Sequence, residues 1–296
     1  MNELPDYALP VELEREIFEL ASWNDHVTGY SLIRVARRVY EWVEPSLYRV
    51  LIVYEGDYRG ERPTPSSPFL QVFKDLLAAR GFGAIARQAK FVHHFMYTGN
   101  DITELKDILL LCTNIVDLAL WTIPVSRTDD LDSIMESLGS LRPQKISISS
   151  TLISLYPKWL SLAPLTQSLT HLDCFGLDGP IWDDGWENLR DLSALTSLAV
   201  AGNNISPTIS ATLQKLKNIQ LVIDALEGDV SYIIPPDAPW YVDDPRFVFC
   251  EYPRPTVDCW LKGTVGGDDI WVLGEIEQRK KKERLLSNYC QRSLSR

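Results

Sequence analysis

Few residues in this sequence are of the types and spacing that catalysis or metal binding requires. His93 and His94 are adjacent, and neighbours on a strand point to opposite faces, so the two rings are not placed to share a metal ion. A group of carboxylates could attract a hard cation but lacks the ordered spacing of a calcium loop: Asp183, Asp184, Glu187 and Asp191. No P-loop, G-x-S-x-G or H-E-x-x-H motif occurs. We therefore expect a chain that is not an enzyme and has no catalytic residue, cofactor or metal site.

The composition is that of an acidic globular chain. Of the 296 residues, 45% are hydrophobic and 23% are charged, and the net charge is −11. Because binding to a phosphate backbone needs a basic face, this balance disfavours nucleic acid as a partner. No apolar run approaches the ~20 residues of a membrane span, and the acidic start is unlike a secretory signal. We expect a cytoplasmic or nuclear protein without a membrane partner.

The cysteines agree with such a compartment. They are far apart, odd in number and form no C-x-x-C pair: Cys112, Cys174, Cys250, Cys259 and Cys290. Without a secretory signal, this spacing predicts reduced thiols, most of them buried.

The middle of the chain repeats one short pattern. The pattern L-x-x-L-x-V-x-x-N-x-I begins at Leu195, and V-x-x-F-x-Y-x-x-N-x-I begins at Val92. Partial copies extend the series of strand centres to positions 95, 118, 146, 172, 198, 219 and 247, which are 21 to 28 residues apart. Such a spacing is typical of one strand and one helix per repeat. The pattern resembles degenerate leucine-rich repeats, which implies an α/β solenoid of parallel strands alternating with helices.

Other segments fit between these strands or interrupt them. An earlier strand is expected over 47–52, and helices are expected over 102–112, 131–138 and 210–216. Two proline-rich stretches, 61–68 and 235–245, are expected to be loops. The alternative is an ordinary doubly wound sheet whose periodicity is accidental.

Two amphipathic stretches precede the repeats. After Pro10, apolar residues at positions 13, 17, 18 and 20 predict a helix over 10–21. A second helix is predicted over 31–43, with Ser31 as its N-cap and Pro45 after its end. We expect the apolar faces of the two helices to meet.

The order of motifs in this N-terminal part resembles the F-box family. Leu-Pro-x-Glu-Leu begins at Leu9, Ile-Phe at Ile17, Leu-x-x-Val-x-Arg at Leu32, and Trp-x-x-Pro-x-Leu-Tyr-Arg at Trp42. It is most similar to the divergent F-box-like proteins that are abundant in mushroom-forming fungi. In that family the block docks the Skp-type adaptor of cullin–RING ubiquitin ligases, and the downstream domain binds the substrate. The resemblance thus implies that the adaptor-binding residues are Leu9, Pro10, Leu13, Ile17, Phe18, Leu32, Val35 and Trp42.

One face of the predicted sheet is expected to bind a protein substrate. If Leu118 and Leu120 point into the core, the residues that alternate with them face the open, concave side of the solenoid. Trp121 and Phe175 occupy such positions, and large aromatic residues are enriched at binding hot spots. The predicted substrate-binding residues are Asp117, Trp121, Lys145, Ser147, His171, Asp173 and Phe175. The alternative is that a loop or the C-terminal tail covers Trp121 and Phe175.

These features divide the chain into three parts. They are an F-box-like helical block over 1–46, an irregular leucine-rich-repeat solenoid over 47–275 and a basic C-terminal tail over 276–296. The function they indicate is a protein-interaction module, the substrate-recognition subunit of an SCF-type ubiquitin ligase. Its partners would be a Skp-type adaptor and an unidentified protein substrate. The alternative is a leucine-rich-repeat scaffold that does not bind the adaptor, its N-terminal helices only capping the solenoid.

Overall fold

The strands of this protein form one parallel sheet. A computed structural model describes residues 9–53, 82–99, 101–121, 128–149, 162–175, 186–201, 213, 216–226, 244–252 and 256–294. In this part of the chain eight strands lie side by side in chain order, and each neighbouring pair is parallel. The strands are Val50–Val53 (β1), His94–Tyr97 (β2), Asp117–Leu120 (β3), Lys145–Ser149 (β4), His171–Phe175 (β5), Ser197–Ala201 (β6), Leu221–Leu226 (β7) and Phe247–Glu251 (β8).

The order of the strands decides between the two predicted folds. A doubly wound sheet reverses its strand order at a switch point. The described sheet has no such reversal, so the doubly wound alternative is wrong. The predicted strand centres at 95, 118, 146, 172, 198 and 247 all lie within strands. The prediction of an α/β fold with parallel strands and alternating helices is confirmed.

Helices lie before, between and after the strands. They are Val11–Asn24 (α1), His26–Leu32 (α2), Arg37–Leu47 (α3), Phe82–Ala89 (α4), Ile102–Leu111 (α5), Thr128–Leu138 (α6), Ala163–Ser168 (α7), Thr256–Thr264 (α8) and Ile270–Leu294 (α9). A 3₁₀ helix spans Trp186–Asp191. The helices predicted over 102–112 and 131–138 match α5 and α6. The helix predicted over 210–216 and the loops over 61–68 and 235–245 lie wholly or mostly outside the described residues.

The same turn begins most of the strands. Before β2, the backbone N–H groups of His93 and His94 both donate to the carbonyl of Arg49, at 2.9 and 3.0 Å. The equivalent carbonyl of each following repeat receives the same pair of donors before β3, β4, β5, β6 and β7. The turns thereby satisfy their backbone polar groups, which buried chain requires. Each repeat is fixed to the one before it by the same two bonds.

Side chains form a second ladder beside these turns. Asn114 Nδ2 donates to the carbonyl of Lys90 at 2.8 Å, and Asn218 Nδ2 donates to that of Ser193 at 2.9 Å. Threonine hydroxyls make similar bonds from one repeat to the previous one. Asn100 and Asn203, the asparagines of the repeat pattern, lie outside the described residues.

The main core lies between one face of the sheet and the helices that connect the strands. One row across all eight strands is at most 1% exposed: Leu51, Phe95, Leu118, Ile146, Leu172, Leu198, Val222 and Phe247. Burying side chains of this size contributes about 1.5–3 kcal/mol each. Leu118, Leu172, Leu198 and Ile219, at the predicted strand centres, are buried as expected. Asp117 and Ser197, which the pattern placed on the open face, are buried too, so their expected exposure is wrong.

Strand β7 begins later than the pattern predicted. The pattern centred this strand on Ile219, but the residue that pairs with Leu198 is Val222. The prediction was wrong because Leu221, Val222 and Ile223 are all apolar. Such a run lacks the period-two alternation that fixes the phase of a strand.

The opposite face of the sheet is covered by α8 and α9. Trp260, Ile270 and Trp271 are at most 8% exposed and belong to one cluster with residues of the strands. Helix α9 approaches β7 closely at Gly274, where a Cβ atom would collide with the side chain of Ile223. The residues predicted to form a basic tail from 276 onwards continue this helix. The sheet is therefore a central layer with helices on both faces.

The N-terminal block contains three helices instead of the predicted two. The second predicted helix, 31–43, is divided between α2 and α3 by a turn at 33–36. Ser31 is not an N-cap; Asp25 caps α2 by accepting bonds from the backbone N–H groups two and three residues later, at 2.9 and 3.2 Å. Pro45 lies within the last turn of α3, where its missing N–H removes one hydrogen bond without ending the helix.

Candidate functional site

An apolar stripe is exposed on the first helix. Leu13, Ile17 and Leu20 share one face of α1 because they are spaced by four and three residues. Together with Leu9, which precedes the helix, they are between 48% and 65% exposed. We call these four residues the apolar stripe. Contiguous exposed apolar side chains on a protein surface mark an interaction site.

Phe18, and not the apolar stripe, packs α1 against the third helix. The apolar faces of the two predicted helices were expected to meet, and they do so only through Phe18, whereas Leu9, Leu13 and Ile17, which the resemblance assigns to adaptor binding, stay exposed. The ring centre of Phe18 lies 6.4 Å from that of Trp42. The small core of the block consists of Val39, Val43 and Leu47. Helix α1 therefore packs on this core through Phe18 and leaves Leu13, Ile17 and Leu20 exposed.

The residues predicted to bind an adaptor fall into two groups. Exposed are Leu9, Pro10, Leu13, Ile17 and Val35. Half-buried against the core of the block are Phe18, Leu32 and Trp42. The exposed residues form the surface of the block, and the half-buried residues pack beneath it on the core of the block.

Helix α3 joins the block to the repeats. Glu44 is 1% exposed, accepts a hydrogen bond from the Tyr40 hydroxyl at 2.6 Å and pairs with Arg87 of α4. Hydrogen bonds to a carboxylate are strong when they are buried. The guanidinium of Arg49 also lies 4.0 Å from the ring centre of Trp23. The block is thus anchored through α3, while the apolar stripe of α1 stays at the surface.

The covered face of the sheet carries a row of polar side chains. These side chains are paired from strand to strand across β2 to β6. We call them the polar row: His94, Asp117, Lys145, His171 and Ser197. His94, Asp117 and Ser197 are at most 8% exposed. Parallel strands that are buried on both faces are normally apolar. Ionisable groups in such a place need partners, because an unpaired buried polar group is costly.

The C-terminal helices supply these partners. Trp260 of α8 donates its indole N–H to Asp117 Oδ1 at 3.2 Å. Asp269 lies 3.3 Å from the Lys145 ammonium. The other oxygen of Asp269 accepts bonds from the backbone N–H groups two and three residues later, both at 3.0 Å. One carboxylate therefore caps α9 and fixes it to the sheet.

A second set of hydrogen bonds lies further along the strands. The Trp121 indole N–H donates to Ser147 Oγ at 2.9 Å, and the Ser147 hydroxyl donates to Asp173 Oδ2 at 2.7 Å. The Tyr252 hydroxyl donates to the same oxygen at 3.0 Å. The rings of Trp121 and Phe175 meet edge to face with their centres 5.6 Å apart. These contacts hold both aromatic side chains inside the protein.

His171 is kept neutral by its surroundings. Its ring centre lies 4.8 Å from that of Trp271. Burial lowers the pKa of His171 to about 4, and the positive charge of Lys145 acts in the same direction. Asp269 and Asp117 raise the pKa but do not outweigh these two effects.

The structure therefore brings all the predicted substrate-binding residues to one face, and that face is closed. Trp121 is 3% exposed and Phe175 is 6% exposed, so the prediction that they lie on an open surface is wrong. The strand phase was right, because both side chains point away from the main core. The alternative was that a loop or the C-terminal tail covers them; a cover is present, but it is formed by α8 and the start of α9, which carry no repeat pattern. The one signal for it was Asp269, which stands before an apolar helical run as an N-cap residue does.

A small cavity remains between the polar row and its cover. Its volume is about 20 Å³, which is room for one water-sized molecule. Its walls include Asp117, Lys145, Asp173, Trp260 and Asp269. A cavity of this size does not admit a cofactor or a substrate.

The buried cysteines have no activated thiol among them. Those described are unpaired and buried, as the sequence predicted: Cys112, Cys174, Cys250 and Cys259. Burial raises the pKa of Cys112, Cys250 and Cys259 to about 12. The thiolate is the reactive form of cysteine, so these thiols are unsuited to nucleophilic chemistry.

The described residues show no metal-binding group and no membrane-spanning helix, and comparisons with known proteins identify no family for the chain. Within the described residues, no three His, Cys, Asp or Glu side chains come together as a metal-binding group. None of the helices in the described ranges is long and apolar enough to cross a membrane. No protein-family model matches the chain, and no curated protein matches it. What the protein does must follow from its own geometry.

Proposed function

We propose that this protein is an F-box-like leucine-rich-repeat protein and the substrate-recognition subunit of a cullin–RING ubiquitin ligase. The observation that carries the proposal is the apolar stripe, which is exposed on the N-terminal block. It contains residues from the motif positions that dock the Skp-type adaptor in the F-box family. The parallel strands in chain order support the second half of the proposal, since leucine-rich repeats stack in that way.

The position of the stripe suits docking. The inward side of α1 is held by Phe18, and the block is anchored through Glu44 of α3. An adaptor can therefore cover the stripe without disturbing the core of the block or its junction with the repeats. Because the four aliphatic side chains are about half exposed, covering them gives about 0.7–1.5 kcal/mol each before the cost of association is subtracted.

Charged residues surround the stripe as they do at the rim of an interface. Arg38 of α3 pairs with Glu14 of α1 at 2.7 Å, and Arg15 pairs with Glu19 at 2.7 Å. An apolar centre with a polar rim is the usual anatomy of a protein–protein interface. The rim would orient the adaptor, and the stripe would supply the affinity.

Binding of the full chain to a purified Skp-type adaptor tests the proposal. The informative variant combines Leu13→Glu and Ile17→Glu, because glutamate keeps a helix intact while it removes the apolar surface. We expect affinity to fall at least about tenfold from the lost burial. Leu110→Glu is the matched control: Leu110 is 50% exposed on α5 and should leave binding unchanged. Melting curves for the variants would verify that each one folds.

Two results would contradict the proposal. Binding that the double substitution leaves intact would remove the stripe from the interface. A wild-type chain that does not bind the adaptor would favour the scaffold function, in which the N-terminal helices only cap the repeats. The contact between Glu44 and Arg87 of α4 supports that second function.

A further inference from the structure

The two ends of the molecule carry helices of opposite charge, and each of these helices has exposed apolar side chains. We infer that copies of this protein associate head to tail: the distal part of α9 in one copy, residues 279–294, covers the apolar stripe of α1 in a second copy. The inference concerns contacts between copies of this chain and does not depend on adaptor docking. It rests on the positions, the charges and the exposed side chains of the two helices.

Helix α9 crosses the sheet and continues beyond it. Gly274 lies against Ile223 of β7, and Lys281 donates to the carbonyl of Phe247 at 2.8 Å. Phe247 belongs to β8, the end strand of the described sheet. From Lys281 the helix continues to Leu294, which at 1.5 Å per residue is about 20 Å further. The last turns of α9 therefore project past the strands.

This distal part of α9 presents a basic and apolar face. Positions 279, 282, 286 and 289 are spaced by three and four residues, so they share one side of the helix. Leu286 is 67% exposed and Tyr289 is 74% exposed, and Arg279 and Lys282 are exposed beside them. From 279 to 289 the chain has five lysines or arginines and one glutamate. Such a face suits a partner surface that is both acidic and apolar.

Helix α1 presents a surface of that kind. It contains four glutamates and one arginine, and its apolar stripe is 48% to 65% exposed. Glu12 and Glu16 are exposed four residues apart and form no ion pair with another described residue. Like charges at this spacing repel each other, so a cation from another molecule would stabilise them. Glu16 also lies within one turn of Leu13 and Leu20, which places the acidic side chains at the border of the stripe.

The two helices cannot meet within one molecule. The block that contains α1 lies beside the first strand, since Trp23 of α1 contacts Arg49, which precedes β1. The distal part of α9 leaves the sheet at β8. Seven spacings of about 4.8 Å separate β1 from β8, which is roughly 34 Å. The contact therefore joins two copies.

A second copy fits both surfaces at once. It supplies the complementary charge and the complementary apolar side chains from the same sequence. Because the net charge of each chain is −11, copies repel each other except where the basic helix end meets an acidic surface. A contact between two different surfaces is heterologous, so repeated contacts produce open chains of copies.

Sedimentation velocity of the full chain measures the association. One helix packed on another is a small interface of the weak, transient class, so the mean mass should rise over roughly 5–200 µM protein. Raising the salt from about 0.05 M to about 0.5 M should lower the mean mass, because salt screens the attraction between exposed charges. A wild type that stays monomeric over the whole range would overturn the inference and leave the stripe without a partner in this chain.

Charge exchange tests which surfaces meet. One variant combines Arg279→Glu with Lys282→Glu, and the other combines Glu12→Lys with Glu16→Lys. Each variant alone has two ends of the same sign, so its association should weaken at least about tenfold. An equimolar mixture brings each acidic end together with a basic one and should associate as the wild type does. All four positions are exposed, so the substitutions should leave the fold intact, and melting curves verify this.

A control with the same change in net charge separates a local contact from general repulsion. Lys90→Glu combined with Lys217→Glu changes the net charge as much as the α9 variant does, but in exposed turns between repeats. This control should associate as the wild type does. A mixture that stays monomeric, or a control that is impaired as much as the α9 variant, would overturn the assignment of the two helices. Neither measurement uses the adaptor, so a failure here is distinct from a failure of the docking experiment.

Discussion

At the residue scale, His171 couples the stability of the protein to pH. Its pKa in the folded chain is about 4 and its ordinary value is 6.5, because burial and Lys145 disfavour the charged ring. Between these values the unfolded chain binds a proton that the folded chain does not. The stabilisation is therefore complete above about pH 6.5 and decreases as the pH falls towards 4. The free energy of unfolding should fall by up to about 3 kcal/mol between pH 6.5 and pH 4 because of His171.

Urea denaturation of the wild type and of His171→Gln between pH 7 and pH 4.5 measures this coupling. Carboxylates also titrate in this range, so the informative quantity is the difference between the two proteins. The wild type should lose more stability than the variant on acidification. If His171→Gln is as sensitive to acid as the wild type, the coupling does not come from His171.

The residues of the strand face show what could be predicted from the sequence at this scale. Alternation along each strand was enough to place Asp117, Trp121 and Asp173 on one face. Whether they are buried was left open between two alternatives, because Trp260 lies 143 positions from its partner Asp117. Nothing in the local pattern of β3 depends on whether a distant helix covers it.

At the scale of elements, the docking of α9 on the sheet depends on one glycine. Gly274 lies against Ile223, which is fully buried in β7. Gly274→Leu raises helix propensity by about 1 kcal/mol but forces a side chain into occupied space. Overpacking of this kind costs about 1–3 kcal/mol, so the net effect should be destabilising.

Chemical denaturation of Gly274→Leu against Glu275→Leu checks this expectation. The control introduces the same side chain at the neighbouring, exposed position of α9. It introduces the side chain without the collision, and because glutamate and leucine have similar helix propensities, its stability should match that of the wild type. A Gly274→Leu protein as stable as the control would mean that α9 does not pack on β7 in solution.

The elements also differ in how far sequence could predict them. The strands with alternating polarity, such as β3 and β5, were placed correctly, whereas β7, which is apolar at consecutive positions, was placed too early. In the N-terminal block the pattern identified an apolar face on α1, of which Phe18 packs on the block while Leu13 and Ile17 stay exposed. Periodicity shows that a face is apolar; it does not show whether the partner belongs to the same chain.

At the scale of the whole molecule, the sheet separates two cores. The core that includes Leu198 lies under the helices that connect the strands, and the core that includes Trp121 lies under α8 and α9. The repeat pattern predicted the first core and treated the second as open surface. A sheet with parallel strands is usually covered on both faces, and this general rule would have favoured a cover. Repeats that line a solenoid are the exception to it, and the resemblance to them led to the wrong expectation.

Two truncations, one in each core, test this description. Leu198→Ala should cost about 2–5 kcal/mol and Trp121→Ala about 3–5 kcal/mol, because both side chains are buried and leave a cavity. They lie three strands apart on opposite faces of the sheet, so the two costs should add to within about 0.5 kcal/mol in the double variant. Denaturant unfolding of the three variants, with exposed Leu110→Ala as the control, measures all of these values. A large cost for Leu198→Ala together with a negligible one for Trp121→Ala would mean that the second face is open in solution, as the repeat pattern alone predicts.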